Sequence, residues 1–318
     1  MPLVTSNYNP PLLHKNGHLS TLYAALIRNV NGLVQKRERI QLPDTDFLDL
    51  DWSHAAIPTK KVVILLHGLE GNAQRPYMVG SALEFNANDY DVCAVNHRGC
   101  SGEQNLLYRS YHSGVSKDLE AVINHIIELK KYSEIILKGF SLGGNVILKY
   151  LGESTVPIQV KAAIAISVPC SLYNSLQELL KPKNFLYTNN FKKHLIRKLK
   201  LKQQQFPDRI SIAQINSINT LKDFDDVYTS KANGYKDAMD YYEKCSSLQF
   251  LSNIKTPTLL INAKNDSFLG AQCYPFEAVE NNSNLHLEIP IYGGHVGFYG
   301  SKITYTEKRA LKFLEEVL

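Results

Sequence analysis

Short, almost wholly apolar runs recur along this chain, and the stretches between them carry apolar residues at helical spacing. Residues 62–66, 90–95, 134–138, 162–167, 258–262 and 285–289 are such runs, and each predicts a strand buried on both faces. Helices are predicted between them, over residues 76–85, 116–131, 142–151, 271–280 and 302–317. In the second of these, Val115, Leu119, Val122, Ile123, Ile126 and Ile127 fall on one face. Strand and helix in alternation imply an α/β fold, with a mostly parallel central sheet flanked by helices. Before the alternation begins, residues 39–42 and 47–52 predict an antiparallel hairpin turning at Pro43 and Asp44.

One region breaks the rhythm. Residues 170–250 contain no convincing strand, only helical stretches at 171–180, 191–201 and 234–245. A connection of that length needs structure of its own, so it reads as a helical cap inserted within a single domain spanning 1–318.

Composition narrows the class. The chain is 318 residues long, 44% hydrophobic and 20% charged, which is enough ordinary globular sequence for a large core. Thirty-five basic against 30 acidic residues give a net charge of +5, too mild to indicate nucleic acid. The five cysteines (Cys93, Cys100, Cys170, Cys245 and Cys273) are odd in number and form no C-x-x-C pair. They argue against a disulfide framework or zinc site and for a reducing compartment. Residues 1–16 mix prolines and polar groups where a signal peptide needs an apolar core, and no stretch has the length of a membrane span. The expectation is a cytoplasmic protein with no metal and no cofactor.

Three positions carry the chemistry. Gly139-Phe140-Ser141-Leu142-Gly143 follows a predicted strand and opens a predicted helix. G-x-S-x-G in that context is a nucleophile elbow, with Ser141 as nucleophile and the helix start directing N–H groups at developing charge. His67-Gly68-Leu69-Glu70-Gly71 follows the strand at 62–66, where an oxyanion loop is placed. The backbone N–H groups of Leu69 and Leu142 are the expected oxyanion donors, and His67 is expected to hold the loop.

A serine hydroxyl needs a base. Of ten histidines, His286 lies in a predicted strand, His14 and His18 precede the sheet, and His125 and His194 lie on predicted helices. His295, in the glycine-rich loop 292–298 after the last strand, is the candidate. Asp266 follows the strand at 258–262 and completes the order Ser, Asp, His. Asp225, Asp226, Asp237 and Asp240 compete for that role, but they lie in the insertion, where surface or capping contacts are expected.

Other conspicuous residues receive plainer readings. Residues 96–102 form a loop near the pocket whose polar groups hold structure, and no base is placed for Cys100. Lys192, Lys193, Arg197, Lys198, Lys200 and Lys202 alternate with apolar residues as the solvated basic face of a cap helix. Contact with an anionic lipid surface is the alternative. Phe185, Leu186, Tyr187, Tyr228 and Tyr241 either line an apolar acyl pocket or pack the cap onto the sheet.

With these residues assembled, the chain resembles the YheT-like branch of the α/β hydrolases. That branch holds bacterial esterases, fungal medium-chain ethanol acyltransferases/esterases and animal membrane-associated lipase relatives. The resemblance runs from Asn16-Gly17-His18-Leu19 to the last helix. It includes Asn96-His-Arg-Gly-Cys100, Gly139-Phe-Ser-Leu-Gly-Gly144 and Gly293-Gly-His-Val-Gly-Phe298. Arg109-Ser-Tyr-His-Ser-Gly114 and Asp223-Phe-Asp-Asp-Val-Tyr-Thr229 are more distinctive of the branch than G-x-S-x-G. The resemblance implies the α/β-hydrolase fold and hydrolysis of short- to medium-chain carboxylic esters, with Ser141, Asp266 and His295 as the triad. Acyl transfer to an alcohol, and a non-catalytic binding protein on the same fold, remain open at this point. The animal relatives' N-terminal membrane anchor has no counterpart in the pattern of residues 1–16.

Overall fold

The computed structural model describes residues 3–318. Its nine strands are β1 (Leu3–Val4), β2 (Lys36–Gln41), β3 (Phe47–Ser53), β4 (Lys61–Leu66), β5 (Asp91–Asn96), β6 (Glu134–Phe140), β7 (Val160–Ile166), β8 (Thr258–Ile261) and β9 (Leu285–Glu288). They form one sheet in the order β1-β9-β8-β7-β6-β4-β5-β3-β2. The β2–β3 and β3–β5 pairs are antiparallel and all others are parallel. The helices are α1 (Gly17–Leu22), α2 (Pro76–Ala87), α3 (Ser116–Glu128), α4 (Leu142–Glu153), α5 (Leu172–Leu179), α6 (Phe185–Gln205), α7 (Ile212–Asn216), α8 (Leu221–Phe224), α9 (Ser230–Ala232), α10 (Ala238–Cys245), α11 (Phe276–Glu280) and α12 (Tyr305–Val317).

The continuous apolar runs have a physical reason. In β4, Val62, Ile64 and Leu66 pack into one core with Leu119, Val122 and Ile126 of α3 and Val146 and Ile147 of α4. Val63 and Leu65 point the other way, into a second core with Met78, Ala82 and Phe85 of α2 and Ala310 and Phe313 of α12. Successive residues of a strand face opposite sides, so a sheet covered on both faces needs an apolar residue at every position.

Several boundaries differ from the sequence expectation. The helix expected over 271–280 is a 3₁₀ turn (Ala271–Cys273) followed by α11. Pro275 restricts Tyr274 and cannot donate to a continuing helix. Helix α12 starts at Tyr305 rather than 302, because Thr304 and Glu307 form a capping box there. Strand β1 and helix α1, which continues into a π turn (Tyr23–Ile27), were not anticipated. Between β7 and β8 the chain builds α5 to α10 and no strand. Helix α6 runs well beyond 191–201 at both ends, and α7, α8 and α9 are too short to show a period. These elements have apolar clusters of their own, one around Leu176, Leu221, Tyr241 and Tyr242, another around Leu199, Ile215, Phe224 and Tyr228. All five cysteines are buried and free. Among the described residues, no helix is long and apolar enough to cross a membrane.

The polar loop after β5 is structural. The Arg98 guanidinium, 2% exposed, donates to Asp118 at 2.7 Å and lies 2.8 and 2.9 Å from Asp44 and Asp46. It binds the β2–β3 turn to the start of α3. Arg98→Met should destabilise the fold by about 3–5 kcal/mol, because it leaves buried carboxylates without their cation. Urea denaturation of the variant measures this, and a loss under 1 kcal/mol would show that the cluster relaxes into solvent.

Candidate active site

Strand β6 ends at Phe140 and α4 begins at Leu142, so a single residue makes the turn. That residue, Ser141, has φ +53° and ψ −119°, a conformation that side chains rarely adopt. Its N–H donates to the Ile166 carbonyl on β7 at 2.8 Å, and its carbonyl accepts from Asn145 at 3.1 Å. Two glycines make the turn possible by close approach. A Cβ on Gly139 would stand 2.6 Å from the Gly143 carbonyl, and one on Gly143 would stand 2.5 Å from the Leu66 carbonyl.

The Ser141 Oγ lies 2.9 Å from His295 Nε2, and His295 Nδ1 lies 2.8 Å from Asp266 Oδ2. The buried carboxylate takes Nδ1–H, which leaves Nε2 to accept the serine proton. Each partner is held from behind. Asp266 Oδ1 accepts from the Phe268 N–H at 2.9 Å, and the Phe268 ring stacks on the imidazole at 4.3 Å. The His295 N–H donates to Thr21 Oγ1 at 2.8 Å, and the Val296 N–H to Ser167 Oγ at 2.9 Å. Asn265 ties the same loop to the N-terminal segment, accepting from the Gly294 N–H and donating to the Lys15 carbonyl, both at 2.9 Å. Thr21, Ser167 and Phe268 were missed in the sequence because a loop buttress leaves no spacing signal.

The loop after β4 presents a free donor among the described residues. The Gly68 N–H donates to the Tyr77 hydroxyl at 3.2 Å, and the Glu70 N–H to the Tyr111 hydroxyl at 2.8 Å. Between them, the Leu69 N–H has no protein acceptor among the described residues. The Leu142 N–H opens α4, where a helix has no acceptor for it. His67 fixes the loop: Nδ1–H donates to the Gly68 carbonyl at 2.7 Å, and Nε2 accepts from the His97 N–H at 3.1 Å. The structural reading of His67 therefore describes its contacts. A further brace was not foreseen. Lys198 of α6 reaches Glu70 at 2.9 Å and the Cys100 thiol at 3.2 Å. Burial pushes that thiol up to about 11, so Cys100 stays protonated and unreactive.

The basic stretch is divided, contrary to a wholly solvated face. Lys193, Arg197 and Lys200 are exposed. Lys198 turns inward, and Lys202 is buried against the Asn105 and Leu107 carbonyls at 2.5 and 2.6 Å. A carboxylate and a thiol draw Lys198 inside, and loop carbonyls draw Lys202. Of the four competing aspartates, Asp237 caps α10, Asp240 pairs with Lys244, and Asp226 pairs with Lys222. Asp225 differs from the capping and surface role expected of it: it lines the cavity described next.

Over Ser141 and His295 lies a cavity of about 740 Å³. Leu69, Leu142, Leu176, Leu195, Phe224 and Phe268 give it apolar walls. Leu186, Tyr187, Tyr228 and Tyr241 also line it and Phe185 does not, although Leu186 is largely exposed as well.

Residues 61–299 match the family model described as alpha/beta hydrolase fold. Over 92% of its length the chain is 32% identical to YheT of Escherichia coli (strain K12), covering 87% of that protein. The chain is an α/β hydrolase of the YheT-like branch. It is also 27% identical, over its whole length and 80% of the relative, to the phospholipase ABHD3 of Mus musculus. Among solved structures, the Pyrococcus furiosus esterase Pf2001 shares the fold with a TM-score of 0.61 at 18% identity, over 92% of this chain and 95% of that one. This α/β hydrolase is an enzyme of the carboxylic-ester hydrolase class.

Three buried histidines surround the site's loops. Burial holds His67 well below the ordinary imidazole range and pushes His97 and His112 down to about 4 and about 3. Unfolded histidines take up protons near pH 6.5 and these do not, so stability is lost as pH falls from about 6.5 towards 4. The loss should be roughly 1.4 kcal/mol per pH unit for each imidazole. Urea denaturation across this range should show a shallower slope for His112→Phe by about one proton. An unchanged slope would mean that His112 titrates normally in the folded protein.

Proposed function

We propose that the chain is a serine esterase that works through an acyl-enzyme on Ser141, on short- to medium-chain acyl esters. The observation that carries this reading is the continuous hydrogen-bonded line from Ser141 Oγ through His295 to buried Asp266. As Oγ attacks the ester carbonyl, its proton passes to His295 Nε2. Asp266 stabilises the imidazolium and keeps the ring oriented. The developing oxyanion takes the two unengaged donors, the Leu69 and Leu142 N–H groups. Collapse of the tetrahedral intermediate breaks the ester C–O bond, and the alcohol leaves with the proton from Nε2. Water then gives its proton to Nε2, attacks the acyl-serine and releases the acid, returning the proton to Oγ.

The apolar walls of the cavity support an acyl chain lying beneath the cap, where burial of methylene groups supplies binding energy. Relatives named phospholipase and, in Saccharomyces cerevisiae, monoacylglycerol lipase (27% identical over 85% of this chain) are consistent with acyl substrates. Five buried free thiols fit a reducing compartment, which favours the cytoplasm.

Turnover of p-nitrophenyl esters of graded acyl length tests the reading. Ser141→Ala and Asp266→Asn should each lose about 10⁴-fold or more in kcat while folding normally. Wild-type kcat/KM should peak at short to medium chains. Near-wild-type turnover by folded Ser141→Ala would overturn the assignment.

A further inference from the structure

The two stretches most distinctive of this branch, residues 109–114 and 223–229, do none of the chemistry described above. Both reach the cavity, the first through Ser110 and His112 and the second through Asp225, Tyr228 and Thr229. The second stretch is also tied to the residue just before the first, since the Tyr228 hydroxyl donates to the Tyr108 carbonyl at 2.5 Å. Asp225 to Thr229 form a π turn directly after α8, a local distortion that is frequent at functional sites. It carries a carboxylate into a predominantly apolar space.

That carboxylate is unusual in what it lacks. Among the described residues, no lysine, arginine or histidine pairs with Asp225; the nearby Lys222 pairs with Asp226 instead. The Tyr242 hydroxyl donates to Oδ2 at 2.7 Å, and the Thr229 hydroxyl lies alongside. One hydrogen bond, with a neighbouring hydroxyl, leaves lone pairs unused on a group that can accept about four. The surface that Asp225 retains lines the cavity. Desolvation by the surrounding side chains raises its carboxyl to about 6. If its only task were to tie α10 to the π turn, an asparagine would accept from Tyr242 without the cost of a buried charge.

We propose that Asp225 forms a polar subsite within the acyl cavity and accepts a hydrogen bond from a hydroxyl on the substrate's acyl chain, remote from the scissile ester. The preferred substrates are then hydroxyacyl esters rather than plain fatty acyl esters. This inference rests on the reading of Ser141 as the nucleophile and of the cavity as the acyl site. A site built to hydrogen-bond a hydroxyl discriminates against the analogue lacking it, because its own acceptor is then left unpaired.

Matched pairs of p-nitrophenyl esters, plain and ω-hydroxylated at C4 to C10, provide the test, with ω-amino esters as a third arm. At the best-fitting length, wild-type kcat/KM should favour the hydroxylated ester by about tenfold or more. The ratio should shrink in Asp225→Asn and fall to one or below in Asp225→Leu. Asp225→Asn keeps an acceptor for Tyr242, so it reports on the ratio even where Asp225→Leu fails to fold. Three results would each overturn the proposal: a wild-type ratio near one at every length, a preference confined to the amino esters, or equal slowing of both esters with the ratio unchanged, which would mark Asp225 as structural only. Turnover of every ester without discrimination removes this subsite alone, whereas no turnover of any ester removes the Ser141 reading and the subsite with it.

Discussion

The backbone of Ser141 is held at φ +53°, and the geometry of the site follows from that one residue. A non-glycine residue in such a conformation costs about 1–3 kcal/mol and persists only where its surroundings over-determine it. Here β6 lies mid-sheet between β4 and β7, and the Ile166 carbonyl fixes the Ser141 N–H from the neighbouring strand. Glycine on either side lets α4 start immediately, close against the end of β4. The turn lifts the hydroxyl out of the sheet towards His295 and leaves the Leu142 N–H unengaged beside it. The same close approach brings the loop after β4 against the serine, since a Cβ on Gly68 would lie 3.1 Å from the Ser141 Cβ.

The residues between β7 and β8 are bound to the loops that surround this turn. Lys198 spans from α6 to Glu70, whose N–H flanks the free Leu69 donor. Lys202 holds the segment carrying Asn105 and Leu107. Asn184 donates to the Ser267 carbonyl, next to Asp266, and Tyr187 meets His18 of α1. The helices that wall the cavity and the loops that carry Leu69, Asp266 and His295 therefore share their contacts. A change in how α6 packs would be felt at Glu70, one residue from a proposed oxyanion donor.

Much of this was legible because it rests on local rules. A sheet covered on both faces writes itself as apolar runs, and β4 to β9 were found where those runs lie, with ends off by one or two residues. The elbow is readable because its glycines are demanded by sterics. His295 and Asp266 are readable by their places after strands, and the structure sets both within hydrogen-bonding distance in one line with Ser141. What stayed hidden depends on tertiary contact. Strand β1 is two residues paired to the sheet edge, and Thr21 reaches His295 from 274 residues away. Lys198 and Lys202 looked like members of a solvated face until loop carbonyls, a carboxylate and a thiol were placed beside them. Asp225 looked like one acid among four, and only its packing separates it from the surface.

The most direct measurement is the site of covalent capture by a fluorophosphonate, located by peptide mass spectrometry on the folded protein. Such probes require an activated serine and a competent oxyanion hole together. Stoichiometric label on Ser141, abolished by prior heat denaturation, is the predicted result. An unlabelled Ser141 in folded protein, or label on another serine, would contradict the assignment of this turn as the reactive centre.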